Sequence, residues 1–472
     1  MGCYHRAYKR GQRKLGALVL LFSLTLIGCQ SVEVTQPQVV AIDTASAYKA
    51  PLEARGSISR RWWRGFNDSR LSRIQSQVAR NNKSLAAAFS RYQQSLAALG
   101  IAQANRYPQV DGVAEVTRTR ISENGQFGGG QNYFSTYSVG AQLGYEIDLW
   151  GRVRAVVQNA QASAQNASFS VQDALVSLQT QTAANYFALR FLDSEADVLR
   201  KAVAARKETL QLAEVRLEAG FTSELDASRA RTLLADAEAE LESLAGPRAQ
   251  LENSLAVLTG QNASNFTIAP TTYSGTLPKV PVGLQGTLLS RRADLAAAER
   301  HLAAAAARVG VAKGEFFPKV RLTGSAGLSS IDRSSFLQSS SRVFSIGPNV
   351  TVPLFRGGAL KSDLARAQAE QKEALHLFQN NALQAFAEVE SALASLAALR
   401  KESEARSRSL SAAQRSLELA EIRYREGTDS YLNVVDAQRE LLTAQRANVR
   451  TRGRRFASTV ELFKALGGGF QR

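Results

Sequence analysis

Two segments of the chain alternate apolar and polar residues with a period of two, which is the pattern of a β-strand with two different faces. In residues 133–149 the odd positions are mostly aromatic or aliphatic and the even positions are mostly small or polar. Residues 320–354 repeat this alternation in two stretches. We predict four strands, within about 109–149 and 319–355. Such strands fit either a half-buried soluble sheet or a barrel wall that faces lipid.

Helical periodicity dominates the rest of the chain. It runs without a strong break over about 151–219 and again over about 358–426. At about 1.5 Å per residue, each stretch predicts a helix of roughly 100 Å. Leu and Ala then alternate at heptad spacing into the following helix, which indicates a coiled-coil seam. We predict that each long helix folds back on its successor, about 223–258 in the first case, as an antiparallel hairpin. The predicted seam positions include Leu210, Ala213, Leu217, Ala227, Ala230, Leu234 and Ala237 in the first hairpin and Leu410, Ala413, Leu417, Ala420, Tyr424, Val434, Ala437, Leu441 and Ala444 in the second.

The same order of elements occurs twice, with Pro108 and Pro318 each ending a helix just before a strand pair. The segment 213–220 returns as 420–427, which is 207 positions later. Matches at a fixed offset indicate an internal duplication. The predicted division is a signal peptide at 1–28, a lipid-anchored tether at 29–60, a first repeat at 61–260, an irregular equatorial segment at 261–286, a second repeat at 287–467 and a tail at 468–472.

The N-terminus has the features of a bacterial secretory signal. Basic residues precede the apolar run 15–27, which is shorter than the ~20 residues of a membrane-spanning helix. The run ends in a Leu-Ile-Gly-Cys sequence with the shape of a lipobox, in which the cysteine is acylated and becomes the new N-terminus. We predict that Cys29 carries the lipid anchor, palmitate included, and that its neighbour Gln30 is compatible with sorting to the outer membrane. An uncleaved anchor with an incidental cysteine is the alternative.

Composition excludes several classes of function. The formal charge is +17, but Lys and Arg are spread along helices among Glu and Gln, so we expect solvated faces and no nucleic-acid partner. His301 and His376 have no ligand or base at useful spacing, and no phosphate-binding loop, nucleophile elbow or zinc motif occurs. We therefore predict a protein that is not an enzyme and has no metal and no cofactor.

The predicted hairpins end in glycine turns that occupy matched positions in the two repeats. Glycine lets a helix end enter the left-handed conformation, and Ser, Thr or Asp then caps the next helix. Matched turns at the two tips favour a contact with a partner over a role as turns alone. The candidate contact residues are Gly220, Thr222, Ser223 and Leu225 in the first hairpin and Gly427, Thr428, Ser430 and Leu432 in the second.

The loops between the predicted strands favour the membrane interpretation. Residues 120–132 and 331–341 are long, polar and rich in Gly or Ser, like the outward loops of outer membrane barrels. Four strands cannot close a barrel, since the smallest have ~8, and open sheet edges cannot lie in hydrocarbon. If these strands are in a membrane, several chains must share one barrel.

A series of short motifs follows a fixed order along the chain. They are the lipobox, Trp62-Trp63 with Phe66 and Asp68, the Tyr107-Pro108 and Phe317-Pro318 stops, Asp148-Leu149-Trp150-Gly151, Pro353-Leu354-Phe355, and Arg423-Tyr424 with Gly427, Leu432, Val435 and Ala437-Gln438. This order resembles that of the TolC-like outer membrane factors, and within them the outer membrane lipoproteins of RND-type multidrug efflux systems, the NodT-type branch. The resemblance covers essentially all of the mature chain.

The resemblance implies a fold that is mainly helical with a membrane β-barrel portion. It implies a homotrimer in which each chain gives four strands to a twelve-stranded barrel and the coiled-coil hairpins form a tunnel across the periplasm. A periplasmic adaptor, or membrane fusion protein, would meet the hairpin tips, and an inner-membrane RND-type transporter would complete the pump. The protein would lie in outer membrane lipid and extend into the periplasm.

The resemblance also implies a periplasmic gate ringed by acidic residues. Asp429, with Glu426 one turn away, occupies the matching position of the second hairpin, where the first hairpin has Thr222. Only the second hairpin is therefore expected to carry the gate. A second set of residues, Arg423, Tyr424 and Arg425, is a candidate for locking the gate through bonds between neighbouring hairpins, or consists of plain heptad and surface residues.

The implied function is that of a passive exit duct for drugs or other small toxic compounds across the periplasm and outer membrane. Two alternatives remain open at this point. One is the outer membrane duct of a type I protein secretion system, which would use the same tunnel. The other is a lipid-anchored coiled-coil scaffold without a pore, in which the alternating strands would form a soluble sheet.

Overall fold

The computed structural model describes residues 48–49, 58–122, 133–282 and 285–470. Cys29, the predicted signal peptide and most of the predicted tether lie outside the described residues. In chain order the described elements are α1 (Ser69–Asn81), α2 (Lys83–Ala104), β1 (Gln109–Arg120), β2 (Tyr133–Ile147), α3 (Arg152–Glu218), α4 (Glu224–Glu242), α5 (Ala245–Leu258), α6 (Gln285–Arg291), α7 (Ala293–Gly314), β3 (Lys319–Ser330), β4 (Arg342–Thr351), α8 (Ala359–Arg425) and α9 (Tyr431–Ala465).

The element order confirms the predicted duplication. The series α2, β1, β2, α3 is followed by α7, β3, β4, α8 in the same arrangement. Helices α3 and α8 each contain 67 residues and begin 207 positions apart. The helices that return from the two hairpin tips, α4 and α9, also begin 207 positions apart. Positions of the two repeats can therefore be matched residue by residue along both hairpins.

The chain divides into two compact units that differ from the sequence repeats. Among the described residues, the first unit contains 93–165 and 299–376, apart from the undescribed loop, and the second contains the remainder. The first unit holds the four strands, and the second holds the hairpin tips. Each unit takes segments from both repeats, because the duplicated elements pack side by side.

The first returning helix is not continuous, as the prediction of one helix over about 223–258 assumed. It is divided into α4 and α5 at Ser243 and Leu244. Pro247 has no N–H to donate to the carbonyl of Ser243 four residues earlier, so the helical ladder is interrupted. The matching helix α9 has no proline and continues for 35 residues.

The strands form one antiparallel sheet in the order β1-β2-β3-β4. Directly paired residues share a face of the sheet, and the registers Val110↔Leu143, Ala141↔Ala326 and Ala326↔Phe344 align the predicted apolar positions across all four strands. The predicted alternation is thus confirmed. Within the described chain, β1 and β4 each have a paired neighbour on one side only.

Aromatic side chains fill the core of the second unit. The ring of Trp62 stacks on that of Phe463 with centroids 4.9 Å apart, and Phe66 lies 4.7 Å from Phe187. Asp68 caps α1 by accepting the Leu71 amide N–H at 2.9 Å, and its other oxygen accepts the Tyr186 hydroxyl at 2.7 Å. The motif around Trp62 therefore fixes the start of α1 against α3.

Candidate channel wall and gate

The sheet has one continuous apolar face that the described chain leaves uncovered. Phe344 is 85% exposed, Ile346 68% and Val110 66%. The residues of this face are Val110, Val116, Tyr137, Val139, Ala141, Leu143, Tyr145, Ile147, Val320, Leu322, Ala326, Leu328, Phe344, Ile346 and Val350. An exposed apolar surface that crosses four strands requires an apolar environment, either lipid or another protein.

The opposite face of the sheet is mostly polar, with Val113, Phe134 and Val343 as its apolar members. Its residues include Asp111, Glu115, Thr117, Thr136, Ser138, Gln142, Glu146, Arg321, Thr323, Ser325, Ser345 and Asn349. Ser325 and Ser345 share a hydrogen bond of 2.9 Å across β3 and β4. One apolar and one polar face is the arrangement of a barrel wall between lipid and a water-filled lumen.

Aromatic and basic side chains lie at both ends of the strands. The Arg118 and Arg120 guanidinium groups lie 5.8 and 5.4 Å from the centroid of the Tyr133 ring at one end. At the other end the Trp150 ring stacks on Phe317 at 5.3 Å. Rings with a polar edge or a nearby cation favour the boundary between lipid and water, so the two clusters fit the two rims of a membrane-embedded wall.

The two hairpin tips have the same backbone geometry. Gly220 and Gly427 have φ values of 76° and 74°, a region that costs glycine no steric strain. The next N–H reaches back five residues in each case, from Phe221 to the Arg216 carbonyl at 2.8 Å and from Thr428 to the Arg423 carbonyl at 3.0 Å. This closes the last turn of each long helix.

In the first tip, a carboxylate holds the side chains of the turn. The Asp226 carboxylate accepts the Thr222 hydroxyl at 3.1 Å and the Ser223 hydroxyl at 3.0 Å, and Ser223 caps α4. Leu225 is 58% exposed and Phe221 84%. This tip therefore combines a polar turn with two uncovered apolar side chains, the predicted contact residue Leu225 and Phe221, which the sequence analysis did not select.

In the second tip, Asp429 is half-buried and hydrogen-bonded within its own turn. Its carboxylate accepts the Ser430 amide N–H at 2.8 Å and the Asn433 side-chain amide. Glu426 is exposed, and Leu432 is 41% exposed. The Asp429 carboxylate thus helps to start α9, and its role in a gate remains a prediction.

The three residues predicted to lock the gate have different surroundings. The Tyr424 ring packs 5.4 Å from the Tyr431 ring, and the Arg216 guanidinium of the first hairpin lies 5.1 Å from its centroid. Arg425 pairs with Glu421 of the same helix at 3.7 Å. The Arg423 guanidinium has no ion-pair partner among the described residues. Of these three residues, only Tyr424 has a contact with the other hairpin within the described part of the chain.

The structure brings residues to the tips that the sequence analysis did not select. Tyr431 is 4% exposed, and its hydroxyl has no hydrogen-bond partner among the described residues. Burial raises the pKa of the Tyr431 phenol to about 12. Arg206 is also buried, and one of its nitrogen atoms donates to the Leu233 carbonyl at 2.6 Å. Arg206 stands at the position that matches Ala413 of the second repeat. This replacement of a seam alanine by arginine is the sequence signal that could have pointed to Arg206.

The two hairpins are also joined by ion pairs farther from the tips. The buried Glu195 carboxylate of α3 accepts from Arg446 at 2.9 Å and from Arg450 at 2.7 Å, both on α9. Burial would raise the pKa of Glu195, but the hydrogen bonds from Arg450 and Arg446 outweigh burial and hold that pKa below its ordinary value. Arg446 also reaches Glu240 of α4 at 2.7 Å.

Helix α8 contains a stretch that is long and apolar enough to cross a membrane by length and composition. One such helix is weak evidence for a span. Phe386, Val389 and Leu393 of α8 are buried in the aromatic core of the second unit, which accounts for the apolar stretch without a membrane.

A sheet with a lipid-facing side and an aqueous side, together with two coiled-coil hairpins, defines the class of outer membrane channel proteins with an attached helical tunnel. Comparison with known proteins supports the same class. The "Outer membrane efflux protein" family model matches residues 74–261 and 284–468. The chain belongs to this family, whose members are outer membrane channels of efflux pumps.

Individual relatives and solved structures show the same similarity. The chain is 34% identical over 407 residues to the solvent efflux pump outer membrane protein SrpC of Pseudomonas putida, covering 86% of each protein. It is 30% identical over 461 residues to the pyoverdine export outer membrane protein OpmQ of Pseudomonas aeruginosa, covering 96% of this chain and 97% of the relative. The crystal structure of VceC from Vibrio cholerae superposes with a TM-score of 0.81 at 28% identity, covering 88% of this chain and all of the other.

Proposed function

We propose that this protein is the passive exit duct of a tripartite pump for small toxic compounds, drugs and apolar solvents among them. The observation that carries the proposal is the sheet, which separates an apolar outer face from a polar inner face. Relatives are named for solvent efflux and for pyoverdine export, so cargo differs within a shared architecture. No catalytic step is required, because a duct supplies a route and the pump supplies the energy.

The unpaired sheet edges support a homotrimer. β1 and β4 cannot face hydrocarbon unpaired, and three chains would supply twelve strands to one closed barrel.

Exposed apolar side chains also lie on α2, where Phe89 is 50% and Ile101 73% exposed, whereas Leu302 of the matching helix α7 is fully buried. In the chain, α7 packs on α8 through Val309, Ala312 and Ala367. The α8 helix of a neighbouring protomer is expected to cover α2 in the same way.

The hairpin tips are the proposed contact with a periplasmic adaptor, which would connect the duct to an inner-membrane RND-type transporter. The exposed apolar side chains Phe221, Leu225 and Leu432 lie beside polar turns. Apolar side chains ringed by polar groups are typical of protein interfaces. The gate that we propose at Asp429 and Glu426 would lie at this same end of the hairpins.

Gene deletion, followed by measurement of drug susceptibility and of secreted proteins, tests which class of compound the duct exports. We expect greater susceptibility to apolar drugs and solvents, and unchanged amounts of secreted polypeptides. The opposite result, with lost secretion and normal susceptibility, would assign the chain to a type I secretion system.

Complementation with a Leu225→Asp, Leu432→Asp double variant should fail although the channel reaches the outer membrane, because charged tips lose the apolar contact. Leu212→Asp, an exposed leucine on α3 away from the turns, serves as the matched control.

Cys29 is the proposed site of lipid attachment. In cells labelled with a palmitate analogue, the wild-type protein is expected to incorporate label and the Cys29→Ser variant is not. Label that persists in the variant would exclude Cys29 as the anchor. Because a closed barrel holds itself in the membrane, we expect the unlabelled variant to remain an outer membrane protein.

A further inference from the structure

The two repeats contain matched grooves in the second unit, and the described chain fills only the first. In the first repeat, the segment 268–273 lies in a groove between α3 and α5. The Asp193 carboxylate accepts the Thr271 amide N–H at 3.1 Å, and Arg248 donates to the Ile268 carbonyl at 2.6 Å. The Ser194 hydroxyl accepts the Tyr273 amide N–H at 3.1 Å. The groove thus binds an extended peptide through its backbone.

Charge in this first groove is balanced. Asp193 accepts hydrogen bonds from Arg190 at 2.9 Å and from Arg248 at 2.8 Å, and its side chain is only 2% exposed. Glu252 pairs with Arg248 at 3.0 Å and also accepts the Ile268 amide N–H. Two carboxylates therefore compensate two guanidinium groups and still accept the N–H groups of the bound segment.

The second groove lies between α8 and α9 and contains a cavity of about 680 Å³. The segment 277–282 forms one wall, with Val280 and Val282 buried, and the buried residues Leu393 and Leu462 line the floor. The matched offset of 207 places Leu462 at the position of Leu255 in the first repeat. The described chain leaves this groove open where the first groove holds a peptide.

The side chains that bind the peptide are replaced in the second groove by cationic or neutral ones. Arg400 stands at the position of Asp193, Lys401 at that of Ser194, and Thr459 at that of Glu252. Arg455 keeps the cation of Arg248. The change removes both carboxylates and adds two positive charges, while Ala397 at the position of Arg190 removes one.

Most of these cations lack a carboxylate partner. Arg400 pairs with Glu404 at 3.5 Å, and Arg455 donates to the neutral Ser403 hydroxyl at 3.3 Å. Lys401 and Lys279, which also line the cavity, have no ion-pair partner among the described residues. Glu404 also lines the cavity and compensates Arg400, so Lys401, Lys279 and Arg455 leave the rim with a net positive charge. A groove with an apolar floor and a net positive rim complements a chain that carries apolar and acidic side chains.

We propose that the groove between α8 and α9 is a docking site for an extended acidic peptide segment of a partner protein. The apolar floor takes alternate side chains of the peptide, and Lys401, Lys279 and Arg455 bind its carboxylates. As in the first groove the bound segment is extended, but here cationic side chains bind its carboxylates. The proposal is independent of the duct function, because it concerns a surface apart from the sheet and the tips.

Peptide binding to the purified full-length protein tests the proposal. The probe is a fluorescent octapeptide, Phe-Glu-Ile-Ala-Pro-Glu-Glu-Tyr, which copies residues 266–273 with their three threonines replaced by glutamate. By fluorescence anisotropy we expect it to bind about tenfold more tightly than the unaltered octapeptide. Equal binding of the two peptides, or no binding of either, would overturn the proposal.

Variants of the rim identify the site. Lys401→Glu is expected to weaken the acidic peptide about tenfold, whereas Arg408→Glu, the same charge change at an exposed position of α8 outside the cavity, leaves binding unchanged. The Arg400→Asp, Lys401→Ser double variant restores two residues of the first groove and should favour the neutral peptide. Acidic-peptide affinity that survives both changes would contradict the assignment.

Photo-crosslinking in cells distinguishes a partner from this chain itself. Ala397→p-benzoylphenylalanine places the crosslinker in the cavity lining. A link between two copies of this chain, or from position 397 to a segment of its own chain other than the residues that line the cavity, would show that the groove is filled from within and would overturn the proposal. Absence of both links, together with the peptide preference, supports it.

Discussion

Replacing Ala326 with arginine is expected to abolish the assembled outer membrane channel. Ala326 lies mid-strand in β3 on the apolar face, paired with Ala141 and Phe344. Arginine on the lipid face near the bilayer midplane costs about 2–4 kcal/mol, and a homotrimer would bear that cost three times. Quantification of the trimer in purified outer membranes, by native gel or native mass spectrometry, measures the loss.

The adjacent residue provides a matched control. Ser325 faces the polar side of the sheet, opposite Gln142 and Ser345, so Ser325→Arg places the same charge in the aqueous lumen. We expect the Ser325→Arg trimer to assemble at nearly wild-type levels. Equal loss in both variants would show that the two faces do not differ in environment, and a wild-type protein that is a monomer in membranes would exclude the shared barrel.

The sheet and the long helices were predictable because their signals are local and repeated. Apolar residues of 133–149 pair with apolar residues of β3 in the observed register. A one-residue slip would turn every apolar side chain to the polar face, so the alternation itself specifies the register. The turns at Gly220 and Gly427 were predictable for a similar reason, because a single residue type satisfies the left-handed backbone at the end of each long helix.

Contacts between the hairpins were less predictable because they join residues far apart in the chain. The heptad pattern places Leu234 in the seam, but Leu233 is the residue that is 2% exposed, in one cluster with Ala213, Val434 and Val435. Helix α4 buries one side against its own hairpin and another against the second hairpin. A seam derived from one hairpin alone cannot represent both contacts.

The cluster around Tyr431 illustrates the same limit at the candidate gate. Its packing on Tyr424 depends on the turn between them, and the Arg216 contact depends on how the two hairpins meet. Arg216 matches Arg423 in the other repeat, yet the Arg216 guanidinium lies over an aromatic ring while that of Arg423 has no ion-pair partner among the described residues. Sequence equivalence between repeats therefore does not imply equivalent contacts.

Removing the Asp429 carboxylate is expected to raise the conductance of the isolated trimer and to lower its preference for cations. Three Asp429 carboxylates around a threefold axis would attract cations and form a selective constriction. In planar bilayers, Asp429→Ala should increase conductance about two- to tenfold, with reversal potentials shifted toward lower cation selectivity. Thr222→Ala, at the matched position of the first hairpin, should leave both quantities unchanged.

The local hydrogen bonds of Asp429 separate two causes of such an effect. Its carboxylate accepts from the Ser430 amide and the Asn433 side chain, so alanine loosens the start of α9 as well as removing charge. Asp429→Asn keeps an acceptor oxygen in that turn and removes only the charge. Loss of selectivity in both variants assigns the effect to charge, and a conductance rise confined to alanine assigns it to the turn. If both variants match the wild type, Asp429 is not part of the gate.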